Sequence, residues 1–280
     1  MSKRLLSRRP VVAFIVLACS FSWSVWLVVS QLTTDPNVQF VAQIPAGFGP
    51  AIAAATVVWA TGGSLRAWVR DMASWRVTPR WYLAALGLPI LFAMVESLVF
   101  ALFVGSLDPT VLPQRLGFWV GSFLVALLLT GGNEEPGWRG FMQPRLQRSY
   151  SALTAAVIVG LVWTVWHLPL HVLLPALTGG FDGTSILSRI ATVPLAILFA
   201  WLYNATDGSV LIAMLFHAGW NTSQSLIPAP FPDGTGAAEP DAGILWGARV
   251  VAVLIVVIGV IVVYERDSLA PTNRHTQQIG

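Results

Sequence analysis

Glu134, Glu135, Arg139, His167, His217 and Asn221 carry the chemistry this chain could perform, and each sits in or beside a long apolar run. An ionisable side chain at the centre of a membrane helix costs about 2.5–3.5 kcal/mol on insertion scales, so each demands a partner or a task. Glu135 and Arg139 stand at i and i+4 with the acid first, the spacing and order of a helical ion pair. That pair neutralises itself and reads as structural support. Glu134 projects about 100° away from Glu135, so it must meet something on another helix. A carboxylate so placed suits acid–base work. His217 and Asn221 again stand at i and i+4 and project from one helix face. Glu96 lies in an earlier apolar run without an evident partner, and His171 follows Pro169 at the end of the run that holds His167. An interface role is expected for His171.

These residues need elements to hold them, and the composition says which. Of 280 residues 55% are hydrophobic and 10% are charged, against about 25% charged in soluble domains. Helices satisfy their own backbone groups in lipid, and about 20 apolar residues cross the hydrocarbon. The short alternating segments of a porin-like barrel are absent. The fold class is therefore all-α, a polytopic transmembrane bundle. Eight spans are predicted: Pro10–Gln31, Pro45–Thr61, Trp81–Val104, Leu116–Met142, Ser151–Leu173, Ile186–Asn204, Ser209–Leu226 and Ile244–Tyr264. The organisation reads as a basic N-terminus (1–9), three N-terminal helices (10–115), a core of four helices (116–226), a last helix (244–264) and a polar, disordered tail (268–280).

Basic residues fall between the spans instead of forming a patch, which argues against a nucleic-acid partner despite a pI near 9.5. Thirteen basic residues, including Arg66, Arg70, Arg76, Arg80 and Arg139, fall on the N-terminal side of an eight-span topology, and three, Arg115, Arg189 and Arg249, on the other. The positive-inside rule then makes both termini cytoplasmic in a plasma-membrane protein. The stretch from Pro10 exceeds a signal-peptide core and is read as an uncleaved first helix. The lone Cys19 excludes an intrachain disulfide. Trp68, Trp75, Trp81, Tyr82, Trp201 and Tyr203, near span ends, are expected to anchor at the lipid interface, and 66–76 to form an amphipathic surface helix.

A geometric test brings two of the polar residues together. In an antiparallel hairpin, Glu134 and His167 face each other when the turn falls near residue 150, and Gln147-Arg148-Ser149-Tyr150-Ser151 is a suitable polar break. The fourth helix is then expected to run past the glutamates to Pro144, bent near Pro136-Gly137.

Three motifs follow in order: Glu134-Glu135-Pro136-Gly137-Trp138-Arg139, then Trp163-Thr164-Val165-Trp166-His167, then His217-Ala218-Gly219-Trp220-Asn221. With these the chain resembles the CPBP family, the CAAX prenyl protease and Abi, bacteriocin-processing membrane proteins, with tryptophan at 163 where phenylalanine is usual. The resemblance implies an eight-helix fold and hydrolysis of a peptide bond within the membrane, in a membrane-associated protein or peptide, at a site open to the cytoplasm. Glu134 would be the general base on water, His167 would orient that water, and His217 and Asn221 would donate to the oxyanion. Glu134, His167 and His217 also match a two-histidine, one-carboxylate zinc set with an open position. No His-Glu-x-x-His supports zinc locally, so the metal and metal-free versions stand level. A non-proteolytic immunity or scaffold protein of the same fold is the main rival. A proton-coupled transporter is weaker, because paired interrupted helices and inverted halves are not evident.

Overall fold

A computed structural model describes residues 8–103, 105–178, 180, 189, 191–228 and 242–270. The basic residues before Arg8, most of the Pro228–Pro240 loop, the beginning of the sixth predicted span and the tail beyond Ala270 lie outside the described residues.

Among the described residues the structure is helical without strands. Its principal helices are α1 (Pro10–Leu32), α2 (Gly49–Ala60), α3 (Pro79–Phe103), α4 (Leu112–Leu128), α5 (Ala152–Leu173), α6 (Thr192–Ala205), α7 (Val210–Thr222) and α8 (Ala242–Val263). Each predicted span thus contains a helix. Five helical stretches among the described residues, Pro10–Leu32, Pro79–Phe103, Pro109–Leu146, Ala152–Leu173 and Gly243–Val263, are long and apolar enough to cross a membrane. The protein is a multi-pass, all-α membrane bundle. Helices α2, α6 and α7 have only 12, 14 and 13 residues, or about 18–21 Å at helical rise.

Large apolar side chains line the outside. Leu83, Met94, Leu98 and Leu102 on α3, and Val251, Ile255, Ile258 and Val262 on α8, are all exposed, as lipid contact requires. The inside is built from small residues that let backbones approach. Ala18 of α1 and Ala53 and Ala54 of α2 are buried where those helices pack. At Gly160 of α5 a Cβ would stand 2.8 Å from the Val193 Cα of α6, and at Gly219 of α7 a Cβ would stand 2.9 Å from Pro89 Cγ of α3. Helix α7 therefore sits centrally, packed on α3, α4 and α6.

The fourth span departs from its expected form. Helix α4 stops at Leu128, and after the connection 129–131 the chain makes a 3-10 turn at Gly132–Glu134, one α-turn at Glu135–Gly137, a π-turn at Trp138–Met142 and a last turn at Gln143–Leu146. The break thus precedes the glutamates instead of bending the helix at Pro136. Irregular backbone is tolerated at membrane depth only where protein covers it, and here the cover is close. At Gly132 a Cβ would collide with the Leu127 carbonyl, and at Gly137 it would stand 2.5 Å from the Pro50 carbonyl carbon of α2. The Asn133 side chain accepts from the Gly131 N–H (2.8 Å).

Several tryptophans expected at the interface instead pack inward. Trp81 is buried edge-on against Trp201 at 5.4 Å. Trp68, on the surface helix Leu65–Met72, donates its indole N–H to the Gly140 carbonyl (3.0 Å), docking that helix on the π-turn. Arg139, Arg115 and Arg249, counted above as loop charges, are buried. They leave both sides of the charge tally, and the bias stands without them.

Candidate active site

The sequence-predicted residues converge. Glu134, His167, His217 and Asn221 line one cavity of about 160 Å³ between the broken fourth span, α5 and α7. Glu134 and His217 are buried, His167 is half-buried, and Asn221 is the most open.

Each is held by a specific partner. Glu134 Oε2 accepts two indole N–H groups, from Trp138 (3.1 Å) and Trp163 (2.8 Å). The partner on another helix that Glu134 requires is therefore an indole N–H, and Trp163 is a donor as well as a packing surface. His167 Nδ1 lies 3.0 Å from the Trp163 carbonyl. A carbonyl only accepts, so Nδ1 carries the proton and the Nε2 lone pair is left for other work. His217 Nδ1 lies 2.7 Å from Glu135 Oε1. Asn221 Nδ2 donates to the Thr130 carbonyl (2.9 Å), one of the acceptors freed by the helix break, and its second amide hydrogen remains for a ligand.

Glu135 is shared. Its Oε2 meets Arg139 Nη1 at 2.9 Å, with both side chains fully buried, while its Oε1 holds His217. The expected self-neutralising pair is thus a three-membered chain, Arg139–Glu135–His217, that orients an imidazole on another helix. Arg139 also lies over the Phe199 ring at 4.1 Å, and Phe199 meets His217 edge-on at 5.4 Å. Phe199 and Trp138 were not singled out in sequence, because their roles arise only when α6 and the π-turn are packed. His171 bonds the Gly180 carbonyl at 3.3 Å outside the cavity lining.

Gly131 explains how tightly the donors converge. A Cβ there would stand 2.5 Å from Asn221 Nδ2 and 3.2 Å from His217 Nε2. The space a side chain would fill is bordered by both residues, with His217 Cδ2 at 2.9 Å.

The metal reading draws on the same cavity. Glu134, His167 and His217 share the cavity, but among the described residues no three His, Cys, Asp or Glu side chains form a group able to hold a metal ion. One carboxylate oxygen of Glu134 is already taken by two N–H donors, which a metal ligand would have to share.

Residues 115–223 match the family described as type II CAAX prenyl endopeptidase, Rce1-like, and this stretch includes all three motifs. Residues 115–223 are thus similar to the Rce1-like family. Within the chain this segment runs from α4 through α7, so it supplies every side chain singled out above for the cavity's polar face. The CAAX prenyl protease 2 of Methanococcus maripaludis is 31% identical over 108 residues, which cover 37% of this chain and 40% of that protein. The likeness therefore spans well under half of that relative's length. Helices α1–α3 and α8 surround the Rce1-like segment and lie outside the matched residues.

Proposed function

We propose that the protein is an intramembrane endopeptidase that hydrolyses a peptide bond of a membrane-associated protein or peptide. The observation that carries this reading is the meeting of Glu134, His167, His217 and Asn221 in one cavity of a membrane bundle. Glu134, with Oε2 fixed by two indoles, takes a proton from water through Oε1 and passes it to the leaving amine. His167 holds that water through the Nε2 lone pair. The tetrahedral oxygen forms near Gly131, where Asn221 Nδ2 and His217 Nε2 converge. As an oxyanion donor His217 must carry a proton on both nitrogens, and Glu135 at 2.7 Å is the counter-charge for that cation.

The donor set favours this route without a metal. Activity of the purified protein is expected to survive metal chelation, followed with bound metal measured on the same sample. Abolition by chelation and return with zinc would reverse that preference.

The named activity of the archaeal relative makes a prenylated peptide ending in a CAAX sequence the first substrate to offer, and leader peptides and lipid-anchored proteins are the next. Glu134→Gln and His217→Ala proteins in liposomes are expected to lose cleavage that the wild type performs. Equal cleavage by both variants would end the catalytic assignment. The site faces the cytoplasm, with both termini on that side of the plasma membrane, as the basic residues at 66–80 and 145–148 support.

A further inference from the structure

Glu96 and Arg249 are buried within the bundle on α3 and α8, on either side of the Rce1-like segment. Arg249 Nη1 lies 3.4 Å from Glu96 Oε2, a long contact for an ion pair, and Nη2 of the guanidinium bonds elsewhere. Its Nη2 donates to the Trp220 carbonyl (2.7 Å) and to Ser223 Oγ (2.9 Å). Glu96 Oε1 accepts from Gln224 Nε2 at 2.7 Å. Arg115, on α4, donates to the Ser225 carbonyl at 3.2 Å. Apart from the Glu96–Arg249 contact itself, every one of these contacts falls on the end of α7 or on the 3-10 turn Ser223–Leu226 that follows it.

A helix end leaves its last carbonyls without intrahelical donors, and in lipid they need protein partners. A single buried arginine would satisfy that need. Here charged side chains from three different helices grip residues 220, 223, 224 and 225, next to Asn221 and one turn beyond His217. Arg249 also lies 3.9 Å from the centre of the Trp220 ring and 5.7 Å from that of Trp246, and both rings line the catalytic cavity.

We propose that Glu96 and Arg249 are positioning residues: a buried charged clamp from outside the Rce1-like segment that fixes the depth and rotation of the helix end bearing His217 and Asn221. The proposal rests on the protease reading for its catalytic consequence. The clamp itself can be read without any catalysis.

Wild type, Arg249→Met, Arg249→Lys and Glu96→Gln are compared after reconstitution. Backbone hydrogen exchange of Arg249→Met is expected to quicken over residues 217–226 while α1, α2 and α5 keep the wild-type pattern. On a prenylated CAAX peptide its kcat is expected to fall about 10²-fold, the scale of a small misplacement of catalytic groups, with KM within about twofold. Arg249→Lys recovers part of that loss, because an ammonium can neutralise Glu96 but lacks the planar fork that also reaches Trp220 and Ser223. Wild-type exchange over 217–226 in Arg249→Met, whatever its activity, overturns the proposal, as does a rise in KM with kcat retained. Should Arg249→Met lose protection in every helix, Glu96→Gln decides in its place: faster exchange confined to 217–226 supports the clamp, and unchanged exchange overturns it. A wild type inactive on the peptide counts against the protease reading on that substrate, while the exchange comparison still tests the clamp.

Discussion

Single atoms carry the distinctions at the candidate site. Two glutamates adjacent in sequence differ in what their oxygens touch: Glu134 is held by indole N–H groups, whereas Glu135 is held by an arginine and a histidine. Glu134→Gln keeps the volume and removes the base, and a loss of about 10²–10⁴-fold in kcat is expected from steady-state cleavage. Gly131→Ala would put a methyl where the nitrogens of Asn221 and His217 converge, so the same assay should show cleavage lost while the purified protein remains folded. Trp163→Phe keeps the ring and deletes one donor to a carboxylate, worth about 1.5–3 kcal/mol. Rates should fall while Trp138 still holds Glu134, and a rate equal to wild type would show that one indole suffices. The identity of these acids, bases and amides was legible because polar residues are conspicuous in apolar runs. The tryptophan donors were not, since an aromatic in a hydrophobic helix announces packing, and its N–H acquires a target only in the folded bundle.

The elements repeat the lesson at larger spacing. Among the described residues each of the eight apolar runs contains a principal helix, because each run must house its own backbone hydrogen bonds. The interruption at 129–134 was hidden for the converse reason. Its carbonyl at Thr130 is satisfied by Asn221, a residue 91 positions away, so local propensity around Gly131-Gly132 could suggest a weakness but not its depth. Pro136, which looked like the cause of a bend, instead sits in the first turn of a short helix, where its missing N–H costs nothing. Gly137→Ala should press on the Pro50 backbone, with a cost of about 1–3 kcal/mol read as a lower midpoint of thermal unfolding in detergent. Arg139→Met, which strands Glu135, should cost more, about 3–5 kcal/mol, and should lower activity through His217 as well.

For the whole molecule, orientation is the open prediction. Three arginines that a loop count would use, Arg115, Arg139 and Arg249, serve the interior, a use invisible to any rule based on distance from an apolar run. The remaining bias still favours cytoplasmic termini. In a Cys19→Ser background, Asp35→Cys should react with an impermeant maleimide applied to whole cells and Arg66→Cys should not. The reverse pattern would invert the topology.

The shortness of α2, α6 and α7 has a consequence for the surrounding lipid. Helices of about 18–21 Å cannot match a hydrocarbon slab of about 30 Å; α6 and α7 are enclosed by other helices, but α2, which packs against the glutamate-bearing turn at Gly137, exposes Ile52, Thr56 and Trp59. Either acyl chains shorten around this side of the bundle or headgroups and water sink toward it. The proposed hydrolysis needs a supply of water and a substrate drawn in from the leaflet, and a local dimple would deliver both to the same place. Membrane thickness then becomes a control on turnover: short-chain lipids relax the mismatch, long-chain lipids raise its cost, and the rate should follow the lipid even when the protein is unchanged.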